Sequence, residues 1–294
     1  MTKHHPFFDA LPPVSQFATD DGRLRLGYRL AETGTGLPLV FFHGYNGASA
    51  SWAMQFSHFK DSRPVLAVDF PGFGGSAVMA PEMPLIADAM AELIRYLGFA
   101  QVVVIGHSMG GMLAQWLAGR SSAVTAGQNR SVASAANTGL VAGLVLSCTH
   151  KGRGRPAGSP MGADRQQRLA DRRQLDDDAY GRVRVEKMLP ALGDAELARF
   201  LALIAGEARP EGIECGGVAM ECCDTSQALA SLAAPVQIIS AADDVVVKPA
   251  AAAALRAALP DARYQQLEGV GHAPYCEDAV AFNRCLESFL ATLD

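Results

Sequence analysis

The pentapeptide Gly106-His107-Ser108-Met109-Gly110 decides how this chain folds. It fits the pattern G-x-S-x-G, and it lies between an apolar run from Gln101 to Ile105, which predicts a strand, and a helical pattern from Met109 to Gly119. A turn this sharp from strand to helix holds the serine in a strained conformation with its hydroxyl exposed, and the flanking glycines leave room because they carry no Cβ. We therefore interpret Ser108 as a nucleophile rather than a structural serine.

Short apolar runs alternate with helical patterns on both sides of this motif. Such alternation is typical of βαβ units, so we predict an α/β fold with a mainly parallel sheet. The predicted strands are Arg23 to Ala31, Leu39 to Phe42, Val65 to Phe70, Val102 to Ile105, Val141 to Ser147 and Val236 to Ser240, and the predicted helices are Leu85 to Leu97, Met109 to Gly119, Pro249 to Leu259 and Asp278 to Leu290.

Two stretches interrupt the alternation. Ser121 to Thr138 is rich in small polar residues without a clear period, and we interpret it as a loop or an irregular helix extension. Lys151 to Met220 contains helical patterns and no strand, which favours a helical cap inserted into the sheet domain. We therefore divide the chain into an N-terminal arm (1–22), a core (23–150 and 223–294) and a cap insertion (151–222).

Composition excludes several classes of protein. Of the 294 residues, 49% are hydrophobic and 19% are charged, so the chain is neither disordered nor a charged fibre. Twenty-five basic against thirty acidic residues give a net charge of -5, which leaves no basic surplus to neutralise the phosphates of a nucleic acid. We expect a globular protein that does not bind nucleic acid.

The sequence also predicts the compartment. The first residues lack the apolar stretch of a secretory signal, and no apolar run of about 18 residues or more predicts a membrane span. We therefore expect a cytoplasmic protein with no membrane partner. The six cysteines include no C-x-x-C pair, so we predict free thiols and no metal site.

Four motifs in a fixed order carry a family resemblance. They are His43-Gly44-Tyr45 after the predicted third strand, the loop from Asp69 to Ser76, the pentapeptide around Ser108, and Gly269-Val270-Gly271-His272. On these motifs the chain is identified as a member of the α/β-hydrolase fold superfamily, in its serine-nucleophile branch. The resemblance implies a mostly parallel sheet of about eight strands flanked by helices, with an inserted helical cap. It also implies a structural role for Asp69, which holds its loop beside the site.

A serine hydroxyl needs a base to remove its proton, and imidazole suits that task at neutral pH. Among seven histidines, His272 follows the last predicted strand in a glycine-flanked loop, so we predict that it is the base. His4 and His5 belong to an end of the chain that we expect to be mobile. His43, His107 and His150 are candidates for the wall of the substrate pocket.

The third catalytic residue is expected to be an acid after the strand Val236 to Ser240, where it would orient the histidine. Asp243 and Asp244 compete for this role. The family commonly reads G-x-x-D-x-x-x-P-P here, and the segment aligns best with Asp244 as the acid, although Ala241 and Lys248 depart from that pattern. For the oxyanion of the reaction, the resemblance implies the backbone N–H groups of Tyr45 and Met109.

The resemblance narrows the substrate. Haloalkane dehalogenases and epoxide hydrolases carry Asp where this chain has Ser108, so those reactions are not expected. Residues 210–235 are similar to the end of the cap in 3-oxoadipate enol-lactonase-like and small carboxylesterase-like members. Four cap arginines fit a solvated helix face better than a pocket wall, namely Arg165, Arg168, Arg172 and Arg173.

These features together favour a serine hydrolase that cleaves a carboxylic ester or lactone through an acyl-enzyme intermediate. A hydrolase of C–C bonds in vinylogous diketones uses the same three residues and stays open, as does a ligand-binding protein without catalysis on the same fold. No cofactor is implied. The expected partner is a small-molecule ester or lactone, and a homodimer is left open.

Overall fold

A computed structural model gives the structure of the chain and describes residues 4–19, 22–122 and 139–293. Its centre is an eight-stranded sheet with the order β1-β2-β4-β3-β5-β6-β7-β8. The first two strands pair antiparallel, as do β2 and β4, and all other neighbours are parallel. The strands are Ser15–Ala18 (β1), Arg25–Ala31 (β2), Leu39–Phe42 (β3), Val65–Val68 (β4), Val102–His107 (β5), Val141–Ser147 (β6), Val236–Ala241 (β7) and Arg263–Leu267 (β8).

The central strands form because their side chains are apolar on both faces. Every residue of β3, β4 and β5 is buried, as expected for parallel strands that are covered by helices on both sides. The predicted α/β fold is therefore confirmed. The predicted bounds of β3 and β6 match the structure, whereas the predicted strand from Val65 extends two residues beyond the observed end at Val68.

Two strands at the edges of the sheet were not among the predicted strands. β8 is exposed at its first four residues, from Arg263 to Gln266, and only Leu267 is buried. A strand without a buried face shows no hydrophobic period, so the pattern gives no signal for it. β1 consists of four residues and lies within the predicted N-terminal arm.

Helices cover the two faces of the sheet. Short 3-10 helices occupy Pro6–Ala10 and Ser49–Trp52. The α-helices are Ala53–Phe59 (α1), Met83–Tyr96 (α2), Met109–Ser122 (α3), Ala163–Gln174 (α4), Asp177–Met188 (α5), Ala195–Gly206 (α6), Pro210–Cys222 (α7), Ser226–Ala230 (α8), Pro249–Ala258 (α9), Pro274–Glu277 (α10) and Ala279–Leu290 (α11). None of these described helices combines the length and the apolar character that a membrane crossing needs.

The four helices α4 to α7 follow one another between β6 and β7. We call residues 151–222 the cap segment and keep the predicted division of the chain as a proposal. The predicted loop over 121–138 lies outside the described residues except for Ser121 and Ser122, which end α3. All six cysteines are free thiols, as predicted.

The start of the chain packs on the cap segment. His5 is 1% exposed, and its Nε2 donates to the backbone oxygen of Glu196 at 3.1 Å. Phe7 and Phe8 contact the ring of Phe200 in α6 at centroid distances of 5.2 and 5.3 Å. The expectation that His5 is mobile is wrong, because aromatic packing and this hydrogen bond hold it.

Candidate active site

Ser108 lies at the turn between β5 and α3. Its φ is 53°, in the left-handed region that residues other than glycine rarely adopt. A Cβ on Gly106 would lie 2.4 Å from the backbone oxygen of Gly110, and a Cβ on Gly110 would lie 2.2 Å from the backbone oxygen of Phe42. Both positions therefore require glycine, because the strand, the turn and the helix approach one another too closely for any side chain.

Three predicted residues form a continuous chain of hydrogen bonds. The Oγ of Ser108 is 3.0 Å from Nε2 of His272, and Nδ1 of His272 is 3.0 and 2.9 Å from the two carboxylate oxygens of Asp244. Because a carboxylate only accepts, Nδ1 carries the proton of the neutral ring and Nε2 is left to accept from the serine hydroxyl. This arrangement can take a proton from Ser108 and stabilise the resulting imidazolium.

Asp244 is held as a carboxylate. Burial alone would raise its pKa, but the hydrogen bond from His272 and the backbone N–H groups of Val247 and Val246 outweigh it, so the pKa lies below its usual value. The two N–H groups donate to Oδ1 at 3.0 and 2.8 Å. Asp243 is exposed, and its backbone N–H pairs with the backbone oxygen of Val270. Of the two competing aspartates, Asp244 is therefore the one that hydrogen-bonds to His272.

Two neighbours fix the backbone around His272. Glu277 accepts from the N–H groups of Gly271 and Ala273, both at 2.9 Å, so its carboxylate holds the backbone on each side of His272. Nε2 of His107 donates to the backbone oxygen of His272 at 2.6 Å. Burial, with the charge of His272 as a smaller cause, lowers the pKa of His107 to about 3, so that ring is neutral at physiological pH.

The loop after β3 approaches the serine from the opposite side. Nε2 of His43 accepts from the N–H of Phe70 at 2.9 Å, and its Nδ1 donates to the backbone oxygen of Gly44 at 2.8 Å. Burial lowers the pKa of His43, which keeps the ring neutral. Tyr45 follows in this loop, and Asn46 after it has a φ of 73°. We call residues 43–47 the oxyanion loop, after the role predicted for Tyr45.

Asp69 holds the neighbouring loop, as the resemblance implies. Its Oδ1 accepts from the N–H of Ser49 at 2.6 Å, and its Oδ2 accepts from the N–H of Gly75 at 2.8 Å. The backbone oxygen of Asp69 accepts from the hydroxyl of Ser76. With both carboxylate oxygens engaged by backbone groups, Asp69 fastens two loops together.

Side chains of the oxyanion loop reach into the cap segment. The Tyr45 hydroxyl donates to the backbone oxygen of Ile213 in α7, and Nδ2 of Asn46 donates to the hydroxyl of Tyr180 in α5 at 2.6 Å. A cavity of about 380 Å³ lies between this loop, Ser108, His272 and the cap segment. A volume of this order suits a small molecule.

A comparison of the sequence with known families identifies the family of this chain. The family described as alpha/beta hydrolase fold matches residues 38–279. The chain belongs to the α/β-hydrolase fold family. The matched range includes Ser108, Asp244 and His272 as well as the whole cap segment.

Two relatives by sequence extend over most of this α/β-hydrolase chain, and a third matches about a third of it. An uncharacterized protein of Mycobacterium tuberculosis is 27% identical over 311 residues, which cover 98% of this chain and 84% of that protein. The dihydrolipoyllysine-residue acetyltransferase component of the acetoin cleaving system of Cupriavidus necator is 30% identical over 284 residues, 94% of this chain and 68% of that protein. The component of the same name from Pseudomonas putida is 33% identical over 109 residues, which span 36% of this chain and only 29% of that protein.

Solved structures share the α/β-hydrolase fold. The enol-lactonase from Burkholderia xenovorans has a TM-score of 0.76 at 21% identity, covering 94% of this chain and 100% of that one. A thermophilic esterase from Thermogutta terrifontis has a TM-score of 0.74 at 22% identity, covering 96% of this chain and 99% of that one. At such identities the likeness shows the fold of this α/β-hydrolase and not its substrate.

The predicted pocket histidines lie in two different places. His107 and His150 both line the cavity, and burial lowers the pKa of His150. His43 is not among the described residues that line it, because its ring is used to hold the backbone of Phe70.

Cys148, directly after β6, lies beside the site, and the sequence gives no indication of this. Its φ is 44°, and its Sγ lies within 4.8 Å of the hydrogen-bonding atoms of Asp244 and His272. Burial raises the pKa of this thiol well above its ordinary value, so it is protonated and can donate toward Asp244. Cysteine, aspartate and histidine are also metal ligands, but here Asp244 and His272 hydrogen-bond to each other. An isolated cysteine after an apolar strand forms no motif, which is why the sequence does not mark it.

Proposed function

We propose that this α/β-hydrolase is a serine hydrolase that cleaves a carboxylic ester or lactone. Family membership supports a hydrolase, and the observation that carries the finer proposal is the hydrogen-bonded chain Ser108–His272–Asp244. A serine on a strained turn, a histidine ring nitrogen 3.0 Å from its hydroxyl and an oriented carboxylate together meet the needs of nucleophilic acyl transfer.

In the proposed reaction, Ser108 Oγ attacks the carbonyl carbon of the substrate while Nε2 of His272 takes the hydroxyl proton. The tetrahedral oxyanion is held by the backbone N–H groups of Tyr45 and Met109, of which Met109 begins α3 and gains from the positive end of that helix. A donor of this kind typically lowers the barrier by about 3 kcal/mol.

The remaining steps use the same groups. His272 gives its proton to the leaving alkoxide, which departs and leaves Ser108 acylated. A water then loses a proton to His272 and attacks the acyl carbon, and the carboxylic acid leaves as Ser108 regains its proton. Asp244 stays ionised throughout and stabilises the imidazolium in each step.

Replacing the proposed nucleophile tests this proposal directly. For Ser108→Ala we expect hydrolysis of p-nitrophenyl butyrate to fall at least about 10⁴-fold, because no other group can form the acyl-enzyme. A fluorophosphonate probe should label the wild type and not the variant. Circular dichroism and thermal unfolding check that the variant is folded.

Two other outcomes would overturn the proposal. Turnover of the ester that persists in Ser108→Ala would remove Ser108 from the reaction. If the probe fails to label the wild type and no ester, lactone or vinylogous diketone is turned over, the protein binds a ligand without catalysis. Turnover of the diketone alone would assign the site to C–C bond hydrolysis.

A further inference from the structure

Two backbone N–H groups near Ser108 are unused in the described part of the chain. They belong to Tyr45 and Met109, and neither has a hydrogen-bond partner among the described residues. Met109 begins α3, so the helix fixes the direction of its N–H. Tyr45 lies in the oxyanion loop, outside any helix or strand. The direction of its N–H therefore depends on the contacts that hold this loop.

The backbone of the oxyanion loop is strained. The N–H of Gly47 donates to the backbone oxygen of Gly44 at 2.9 Å and closes a turn. Within this turn Asn46 has a φ of 73°, which asparagine tolerates better than most residues but which still costs free energy. Such a conformation persists where the surrounding structure holds it.

The side chain of Asn46 is held at both ends by the cap segment. Its Oδ1 accepts from Nη1 of Arg168 in α4 at 2.8 Å, and its Nδ2 donates to the hydroxyl of Tyr180 in α5 at 2.6 Å. Because a guanidinium only donates, the amide oxygen faces Arg168 and the amide nitrogen is left for Tyr180. The predicted solvated helix face is wrong for Arg168, whose guanidinium also lies 4.6 Å from the centre of the Tyr45 ring.

The side chain of Tyr45 is held by a third helix of the cap segment, α7. Its hydroxyl donates to the backbone oxygen of Ile213, and burial raises the pKa of Tyr45, so the hydroxyl keeps the proton that it donates. A Cβ on Gly216 would lie 3.2 Å from Cε2 of Tyr45 and 3.0 Å from Sδ of Met109. Both residues with unused N–H groups therefore pack against α7 at this glycine.

We propose that the cap segment fixes the oxyanion loop in its reactive conformation, with Tyr180 and Arg168 as positioning residues that act through Asn46. The inference rests on the proposed function, since the loop matters to the reaction only if the N–H of Tyr45 binds the oxyanion. Donors that are already in place stabilise a transition state because they need no reorientation during the reaction. A loop released from the cap would still allow the substrate to bind, but it would stabilise the oxyanion less. The cap segment then contributes to kcat and not only to the wall of the cavity.

Removing one hydroxyl group tests the proposal. Tyr180→Phe keeps the buried ring and removes the oxygen that accepts from Asn46. We expect kcat for p-nitrophenyl butyrate to fall about tenfold and KM to change less than about threefold, because an oxyanion donor is displaced while substrate contacts remain. Active sites are counted with a fluorophosphonate probe, so that a loss of folded protein does not lower kcat. Tyr96→Phe is the matched control, because Tyr96 is exposed on α2 and its substitution should leave both constants unchanged.

A double-mutant cycle tests whether Tyr180 acts through Asn46. Asn46→Gly removes both contacts of the amide, and glycine adopts a φ of 73° without strain. We expect Asn46→Gly and the double variant Asn46→Gly/Tyr180→Phe to have the same kcat within about twofold, because the second substitution then removes nothing further. If the two effects multiply instead, Tyr180 acts independently of Asn46 and the proposed route is wrong.

A boronic acid separates oxyanion binding from substrate binding. With butylboronic acid, Oγ of Ser108 donates an electron pair to boron while its proton moves to His272, and the tetrahedral adduct places an oxygen in the oxyanion hole. Its inhibition constant should rise about tenfold in Tyr180→Phe, by the same factor as kcat/KM falls. A lower kcat with an unchanged inhibition constant would overturn the inference.

Hydrogen–deuterium exchange gives a readout that needs no turnover. In Tyr180→Phe we expect faster exchange than in the wild type for peptides that contain the hydrogen-bonded amide of Gly47, and equal exchange for β5. An active wild type, with a variant of equal kcat and equal exchange, would overturn the inference while the proposed function stands. If the wild type neither turns over esters nor binds the boronic acid, the proposed function fails. Faster exchange would then still support the hold of the cap segment on the loop, and equal exchange would overturn it.

Discussion

The two sides of the cavity are held together by different forces. On the core side, Ser108 and His272 are fixed by glycine contacts, backbone hydrogen bonds and neutral rings such as His107. On the cap side, the fixed groups are charges, with Glu221 and Asp171 each facing more than one cation. The residues proposed for bond cleavage therefore lie on the sheet and the loops that follow its strands, whereas most of the charged side chains that line the cavity belong to the cap segment.

On the core side, a substitution of Asp244 should have the largest effect on catalytic activity. Asp244→Asn removes the charge that orients His272 and stabilises its imidazolium, so we expect kcat/KM for p-nitrophenyl butyrate to fall about 10³- to 10⁴-fold. Asp243→Asn is the matched control one residue away, and it should change kcat/KM less than about threefold because Asp243 is exposed. The reverse ranking in steady-state kinetics would move the acid to Asp243.

A smaller effect is expected on the cap side at Glu221. Its side chain is fully buried, it lies 3.4 Å from Arg155, and its Oε1 accepts from Arg165 and from the N–H of Gly162. Glu221→Gln leaves the mostly buried Arg165 without its charge partner, so we expect about 3 kcal/mol less free energy of unfolding in urea titrations.

The control for this prediction lies on the same helix. Glu214 is mostly exposed and lies 3.8 Å from Arg173, so Glu214→Gln should cost less than about 1 kcal/mol. If the two variants were equally stable, the cap segment would not depend on its buried charge network.

The stability of the protein should depend on pH through His107. In the unfolded chain a histidine takes up a proton near pH 6.5, whereas burial lowers the pKa of His107 in the folded protein to about 3. Between these values the unfolded state binds the extra proton, so the free energy of unfolding falls as the pH falls from about 6.5 toward 3.

The variant His107→Gln should reduce this slope. The glutamine keeps a side-chain N–H donor but does not titrate, so the slope should be shallower by up to about 1.4 kcal/mol per pH unit. Urea unfolding at several pH values between 4 and about 6.5 measures it. An unchanged slope would mean that His107 is not the buried neutral ring described above.

The core side is also the part that the sequence predicts. Ser108 stands in a glycine-flanked motif because close approach of the backbone excludes a side chain at Gly106 and Gly110. Gly269, before His272, has a φ of 69°, which also favours glycine, and such constraints are visible in the residue types. The apolar runs of β3 and β6 are visible for a similar reason, since both faces of these strands are buried. For the predicted acid, the sequence leaves Asp243 and Asp244 as candidates, and of the two it is Asp244 that hydrogen-bonds to His272.

The cap side could not be predicted in the same detail. The helix Ala163–Gln174 is strongly polar and buries Leu169, so its pattern does not show whether an arginine faces water or a cavity. Arg168 donates a hydrogen bond to Asn46, which lies 122 positions earlier in the chain. A contact between residues so far apart leaves no signal in the local sequence pattern. The edge strand β8 was missed because it has almost no buried face, and Cys148 because a single cysteine forms no pattern.

The packing of His5, Phe7 and Phe8 on Phe200 has a consequence for how this protein could acquire new substrates. The first residues of the chain and α6 form one surface although almost 200 positions separate them, for example 191 between His5 and Glu196. A cap exchanged for that of another hydrolase would leave these aromatic rings without their partner. Residues 5–8 and α6 would therefore have to be exchanged together for this packing to be kept.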